Sequence, residues 1–223
     1  MAVTPVVLVL SRSGEPVAHR VAAALGASVH GREGRVDQAD AWFANALDHA
    51  RDLFAAGVPI IGVCASGILI RAVAPLLADK LTEPPVLSVS DDGSVVVPLL
   101  GGHRGANRLA RDVAQALGGV SAVTTAGDVA LGVALDAPPA GWRLANPEAA
   151  QSVMATLLSG GGATVTGDAP WLADLPRGEA VLIEATIAAA PEADLHFAPQ
   201  RVALGVGCAR NCPEAELAGL VDQ

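Results

Sequence analysis

Apolar residues run almost without interruption from Val3 to Leu10. That is the pattern of a strand buried on both faces of a parallel sheet. Ser11-Arg12-Ser13-Gly14 breaks the run, and Glu15–Leu25 predicts a helix that Gly26 stops. Ala39–Ala56 predicts a second helix ended by Gly57, and Val58–Val63 a second buried strand. Ser66–Ala78 reads as helical, with Pro75 kinking or splitting it. Strands followed by helices predict an α/β fold with parallel pairing.

Val86–Ser90 and Ser94–Pro98 flank Asp91-Asp92-Gly93, a hairpin signal. Beyond the glycine-rich run at 101–107, Ala106, Leu109, Ala110, Val113 and Leu117 keep helical spacing up to Gly118. Val120–Thr124 predicts a further strand, and the tract Ala137–Gly141 marks a boundary. Pro147–Leu158 predicts a helix with Asn146 as its N-cap. Val181–Ile187 and Val202–Val206 read as strands, and Glu214–Val221 starts a helix. The architecture expected is an open, mainly parallel α/β sheet with flanking helices over 1–136, and a small second α/β domain over 137–200. Residues 201–223 hold one strand and part of a helix, too little to bury a core. They are expected to be the start of a further domain, poorly packed unless they borrow a partner.

Composition narrows the function classes. Of 223 residues 52% are hydrophobic, which excludes intrinsic disorder. The formal charge of −9 argues against nucleic acid as a partner. All of that charge lies in residues 112–223, whereas 61–111 is net positive by one. An anionic ligand is therefore best sought around 61–111. The longest uncharged apolar stretch, Val58–Ile70, is too short to span a membrane. No basic residue precedes the run Val6–Leu10, so no secretory signal is expected. Three cysteines cannot all pair, and Cys64 sits in an apolar run, which suggests a reducing, cytoplasmic setting.

The candidate chemistry gathers at three places. Gly101-Gly102-His103-Arg104-Gly105-Ala106-Asn107 opens a helix. Glycines let a ligand approach the backbone, and the helix start presents free N–H groups. His103, Arg104 and Arg108 add donors there, where cations oppose the helix dipole and so do not serve helix stability. The plain alternative is a strand–helix turn with solvated arginines. Ser66 and Gly67 follow the strand Val58–Val63, where α/β ligands bind. Ser66 can cap the helix, contact a ligand or act as nucleophile, although Gly-x-Ser-x-Gly is absent. Arg71, among apolar neighbours, needs a carboxylate, either internal or from a substrate. Asp128, just past Val120–Thr124, can be a general base or a cap. The ends of strands 58–63 and 120–124 and the turn Gly101–Asn107 are expected to converge on one cleft. Cys208 and Cys212 lack companion ligands, so no metal site is expected, and His19, His30, His49 and His196 show no partner spacing.

The run Ala65-Ser66-Gly67-Ile68-Leu69-Ile70-Arg71-Ala72-Val73-Ala74-Pro75-Leu76-Leu77-Ala78-Asp79-Lys80 resembles a block of the CbiG family of cobalamin biosynthesis, the cobalt-precorrin-5A hydrolases. Leu100–Asn107 and Val123-Thr124-Thr125-Ala126-Gly127-Asp128 follow in the family's order. Gly141-Trp142-Arg143-Leu144-Ala145-Asn146-Pro147-Glu148 resembles its middle region, and Ala203–Cys208 the first strand of its C-terminal domain.

The resemblance implies opening of the lactone of a cobalt corrinoid and release of acetaldehyde. The cobalt belongs to the substrate, and no further cofactor is implied. Its implied substrate contacts are Ser66, Gly67, Arg71, Gly101, Gly102, Arg104, Gly105, Asn107 and Arg108, with the cations on the corrinoid's carboxylates. His103 and Asp128 are the implied catalytic residues, with backbone N–H groups near Gly101–Gly105 for the oxyanion. Gly102-His103-Arg104-Gly105-Ala106-Asn107 lacks the extra glycine that many family members carry before Ala-Asn, and with the segment Ala137–Trp142 this shorter form resembles a proteobacterial branch often fused to a precorrin-3B C17-methyltransferase. A non-catalytic corrinoid-binding module serving such a methyltransferase, as domain or separate protein, is the rival reading. A third class, an α/β phosphate-binding protein, lacks a Walker lysine or a dinucleotide fingerprint.

Overall fold

The computed structural model describes residues 3–80, 82–139 and 141–200, and of His103 the backbone alone. Val202–Val206, Glu214–Val221, Cys208, Cys212 and the expectation for 201–223 lie outside the described residues. Strand β1 (Val6–Val9) is wholly buried, as four consecutive aliphatic residues require. It lies between β2 (Ser28–Arg32) and β4 (Ile60–Val63), parallel to both. Between β1 and β2 runs α1 (Glu15–Leu25), with Pro16 in its first turn and Gly26 left-handed at its end. Its start and stop follow the sequence reading.

The expected helix Ala39–Ala56 is in fact two elements. Strand β3 (Ala41–Phe43) pairs with His30–Arg32 at the sheet edge, and α2 (Ala46–Ala55) follows. Asn45 makes the break. Its backbone is extended, and its side chain accepts hydrogen bonds from the Leu47 and Asp48 amides. Helix α3 (Ser66–Val73) stops short of Ala78 because Pro75 turns the chain into a 3-10 segment, Ala74–Leu76.

Strands β5 (Val86–Val89) and β6 (Val95–Leu100) form the expected hairpin, β5 parallel to β4 and β6 antiparallel to β5. Helix α4 (Ala106–Leu117) then leads to β7 (Val120–Ser121), which runs parallel to β6. The strand expected over Val120–Thr124 is this short because α5 (Ala126–Leu131) begins almost at once. The seven strands lie in the order β3-β2-β1-β4-β5-β6-β7. Helices α1 and α4 cover one face, over Val7, Val9, Ile61 and Val96, while α2 and α3 cover the other, over Leu8, Ile60 and Val86.

A second sheet has the order β8-β11-β10-β9, from β8 (Trp142–Leu144), β9 (Ala163–Gly167), β10 (Val181–Ala185) and β11 (Leu195–Pro199). Helix α6 (Ala150–Leu158) packs on it. Asn146 does not cap this helix. Its side chain donates to the Asp194 carbonyl and accepts from the His196 amide, so it ties the β8 end to β11. Leu131 and Leu135 pack into the small-sheet core. Residues 126–135 therefore side with the second sheet, although they precede the Ala137–Gly141 tract. Among the described residues no helix is long and apolar enough to cross a membrane.

Candidate functional site

Strand direction decides which candidate residues meet. Ser66 and Gly67 follow the carboxyl end of β4. The turn after β6 sits at the opposite edge, because Leu100 pairs with Val86 at the start of β5 while Val96 pairs with Val89 at its end. Strand β7 runs with β6, so Thr125 and Asp128 also lie toward that opposite edge. The expected convergence is thus half wrong: the glycine turn and Asp128 come together, and Ser66, Gly67 and Arg71 stand apart. Ser66 is the first helical residue after Ala65 rather than the cap, and no hydroxyl partner is found for it among the described residues. Arg71 is exposed, not half-buried, and donates to the Gly67 carbonyl at 2.9 Å instead of to a carboxylate. Beside Ser66's edge, Ser11 and Ser13 hydroxyls donate to Asp91.

The turn depends on its glycines. Gly101 has φ +78°, and a Cβ there would lie 2.6 Å from Pro85 backbone atoms. Gly105 has φ +88° at the start of α4. The chain can therefore fold back against the Pro84-Pro85 segment and start the helix with almost no intervening loop. His103 stands in the 3-10 turn Gly102–Arg104. Arg104 reaches the Thr82 carbonyl, and Arg108 the Pro138 carbonyl at 3.0 Å.

Asn107 lies on the buried face of α4, one of two buried polar residues among those described. Its Nδ2 donates to Thr125 Oγ1 and to Asp128 Oδ2, each at 2.9 Å. The Thr125 hydroxyl donates to the same carboxylate oxygen at 2.5 Å. The other oxygen, Oδ1, takes the Arg111 guanidinium. Burial works to raise the Asp128 pKa. Hydrogen bonds from Thr125, Arg111 and Asn107, with the Arg111 charge, outweigh it and hold the carboxyl below its usual range. Asp128 is therefore an engaged carboxylate that ties α5 to α4, and it is poorly set to take a proton. Sequence reading passed over Arg111 and Thr125. The signal for Arg111 was its i+4 spacing from Asn107, which puts both on one helix face.

This cluster borders a cavity of about 310 Å³ between the two sheets. Its lining runs from Gly102, Asn107 and Asp128 to Gln151, Met154 and Leu158 of α6. A smaller cavity of about 210 Å³ adjoins it at Gly102, Asn107 and Ala134, with Arg108, Arg111 and Trp171 on its wall. A mainly apolar cleft with a few fixed polar groups is the usual form of a small-molecule site. Among the described residues no group of three or more His, Cys, Asp or Glu could hold a metal ion. His30 and His49, read as isolated, in fact meet at 2.8 Å between Nδ1 and Nε2, far from this cleft in the fold, on β2 and α2. Burial lowers the pKa of both.

Fold and site together define a two-sheet α/β protein with an inter-sheet cleft floored by an ion pair. Residues 48–128 match the family model described as cobalamin synthesis G N-terminal. A cobalt-precorrin-5A hydrolase of Salmonella typhimurium is 32% identical over 206 residues, 82% of this chain and 58% of the relative. One from Priestia megaterium is 28% identical over 201 residues, 77% of this chain and 54% of the relative. Residues 48–128 thus match the N-terminal domain of the CbiG family, and the similarity to its cobalt-precorrin-5A hydrolases extends over most of the chain. The chain spans little more than half the length of these curated relatives. A solved homolog of cobalamin biosynthesis protein G from Sulfolobus solfataricus covers 97% of this chain and 67% of its own, at 18% identity and a TM-score of 0.47.

Proposed function

We propose that this chain acts in cobalamin biosynthesis as the N-terminal and middle part of a cobalt-precorrin-5A hydrolase. The observation that carries the reading is the alignment with the Salmonella typhimurium hydrolase, which extends over 82% of the chain and so across both sheets. The inter-sheet cleft supports it, since the family-matched segment 48–128 supplies the glycine turn and the Asn107–Asp128 cluster that border the cavity. At about 310 Å³ the cavity has room for one edge of a tetrapyrrole, such as its lactone ring, and not for the whole macrocycle.

In this proposal the lactone carbonyl lies against the turn Gly101–Gly105; the Arg104 and Gly105 amides are bonded to the Gly101 and Gly102 carbonyls, so the Gly102 and His103 amides stabilise the oxyanion formed when water attacks. His103 takes a proton from that water and returns it to the departing alkoxide oxygen; it then takes the proton of the hydroxyl so formed as the carbon–carbon bond to the acetaldehyde fragment breaks, and the electron pair of that bond passes to the macrocycle, which takes up the proton. Arg104 and Arg108 pair with carboxylate arms of the corrinoid. Asn107, Arg111 and Asp128 fix the helix start that aligns the turn. Ser66, Gly67 and Arg71, on the other edge, are left to contacts with a part of the ring remote from the lactone or to none. The substrate carries the cobalt, no resident cofactor enters the proposal, and the setting proposed is the cytoplasm.

The test is to incubate the chain with cobalt-precorrin-5A and assay acetaldehyde. Release by wild type, with His103→Ala slower by roughly 10²–10⁴-fold, is the expected result. Undiminished release by His103→Gln would remove His103 from the chemistry. Corrinoid binding without any acetaldehyde would replace the hydrolase with a module that presents the intermediate to a methyltransferase.

A further inference from the structure

Helix α6 carries apolar side chains on two faces, and the small sheet covers only one of them. Ala150, Val153 and Leu157 are buried in the small-sheet core. Gln151, Met154, Ala155 and Leu158 recur at i, i+3, i+4 and i+7 and line the larger cavity. Ser152 and Thr156, on the third face, spend their hydroxyls on the Ala149 and Ser152 carbonyls. Leu158 is 43% exposed. A helix with apolar side chains beyond its buried stripe calls for a second apolar contact on that side.

The polar side chains opposite this stripe are already committed to one another. Both N–H donors of Asn107 go to Thr125 and Asp128, and the Thr125 hydroxyl goes to Asp128. Gln151 apart, the other side chains of the lining are aliphatic, a thioether or carboxylates, and none of these is a donor. The Gln151 amide is therefore the side-chain N–H group that this cavity leaves for a ligand. It is exposed and has no hydrogen-bond partner among the described residues. Met154 is half-buried where the two walls meet, since a Cβ on Gly127 of α5 would lie 3.4 Å from its sulfur. The cavity thus sets backbone donors on one side against an apolar stripe, with one amide at its end, on the other.

We infer that α6 is the second wall of the substrate site: Met154 and Leu158 pack on the apolar face of the corrinoid edge, and the Gln151 amide donates to an oxygen on that edge. The inference rests on the corrinoid reading above and deepens it. A tetrapyrrole edge is a flat carbon framework with oxygen-bearing substituents, which matches a stripe of this kind. A thioether adapts to such a surface, and its sulfur makes favourable contacts with conjugated rings. The site then draws on both sheets, because the family-matched segment 48–128 supplies the turn and residues beyond it supply the wall. The amide is uncharged, so the affinity it adds is insensitive to salt, unlike that of Arg104 and Arg108.

The chain has two methionines, Met1 and Met154, so peroxide footprinting reads the wall directly. The probe is a cobalt(III) corrinoid bearing free carboxyl arms. Its binding is measured by ultrafiltration and visible absorbance, and sulfoxide at each methionine by peptide mass. Bound corrinoid is expected to slow oxidation of Met154 and to leave that of Met1 unchanged. Gln151→Ala, which raises helix propensity, and Leu158→Gln, at an exposed position, should each weaken binding by about three- to tenfold. The Gln151→Ala loss should be the same at low and high salt. Ser152→Ala, on the third face, should bind as wild type does. Retention of the corrinoid with Met154 oxidised as fast as in the free protein overturns the wall while the corrinoid reading stands, and so does wild-type affinity in both variants. Wild-type affinity in Gln151→Ala alone removes the amide from the proposal. Failure of wild type to retain the corrinoid overturns the corrinoid reading itself, and the wall falls with it.

Discussion

Replacing Asp128 by Asn separates two roles for that carboxylate. The side chain is only 6% exposed, and its Arg111 partner is 42% exposed. Asn keeps the volume and one carbonyl oxygen, which in the Oδ2 position still accepts from both Thr125 and Asn107. The ion pair is lost, and the new amide N–H groups face Arg111. A fully exposed pair contributes about 0–1 kcal/mol, and breaking a buried one costs about 3–5 kcal/mol. Half exposure on the Arg111 side puts the loss near 2 kcal/mol. For a chain of this size that is a fall of about 4–8 °C in Tm. The pH dependence has a definite sign. The folded-state pKa of Asp128 lies below that of an ordinary aspartate, so its contribution is complete above the unfolded pKa and disappears as pH falls through the folded one. Thermal unfolding at pH 7 and at successively lower pH, for wild type and Asp128→Asn, should show a gap that is full at pH 7 and closes in strong acid. A gap that persists unchanged in acid, or none at pH 7, refutes the account. A fully stable variant that has lost acetaldehyde release would return Asp128 to the role of proton acceptor.

Further consequences concern other parts of the chain. Gly101→Ala should destabilise by at least about 2 kcal/mol in urea unfolding, since a left-handed φ alone costs about 1–2 kcal/mol and the added methyl meets Pro85 backbone at 2.6 Å. Burial, with the Asp91 charge, pushes the Cys64 thiol up to about 12. At pH 8 it should therefore resist alkylation until the chain unfolds, and peptide mapping that finds it labelled at the rate of an open cysteine would contradict this. Leu135→Ala, at a fully buried site in the small-sheet core, should cost about 2–5 kcal/mol. Hydrogen exchange should show the lost protection in β10 and β11 before β1 and β4. The reverse order would place residues 126–135 with the large sheet.

The large sheet was legible because its central strands are continuous aliphatic runs and its helices end at glycines, as at Gly26 and Gly118. Edge strands gave no such signal. Ser28–Arg32 alternates buried and half-buried residues and includes a glycine and a histidine, and its partner Ala41–Phe43 is three residues long. Next to α2 that short strand reads as more helix, and only Asn45 separates them. The small sheet was mostly missed for a similar reason. Its strands β8 and β11 owe their place to long-range ties, such as the Asn146 side chain on His196, which no local pattern reveals.

The site was misjudged in one respect, and the cause is a single strand. In an all-parallel sheet every strand-to-helix turn opens on the same edge, and Ser66 would have stood beside the glycine turn. The Asp91-Asp92-Gly93 hairpin makes β6 antiparallel to β5 and so delivers Gly101–Gly105 to the edge where β1, β4 and β5 begin. Parallel pairing of β7 with β6 then keeps Thr125 and Asp128 on that edge. From there the chain leaves directly for α5 and the second sheet, which is why the cleft forms between the sheets and not over the carboxyl ends of the central strands. The hairpin was recognised in the sequence, and its consequence for strand polarity follows from it without further information. The same turn residues that signal the hairpin therefore also determine that the Asn107–Arg111–Asp128 cluster, and not Ser66, faces the cavity.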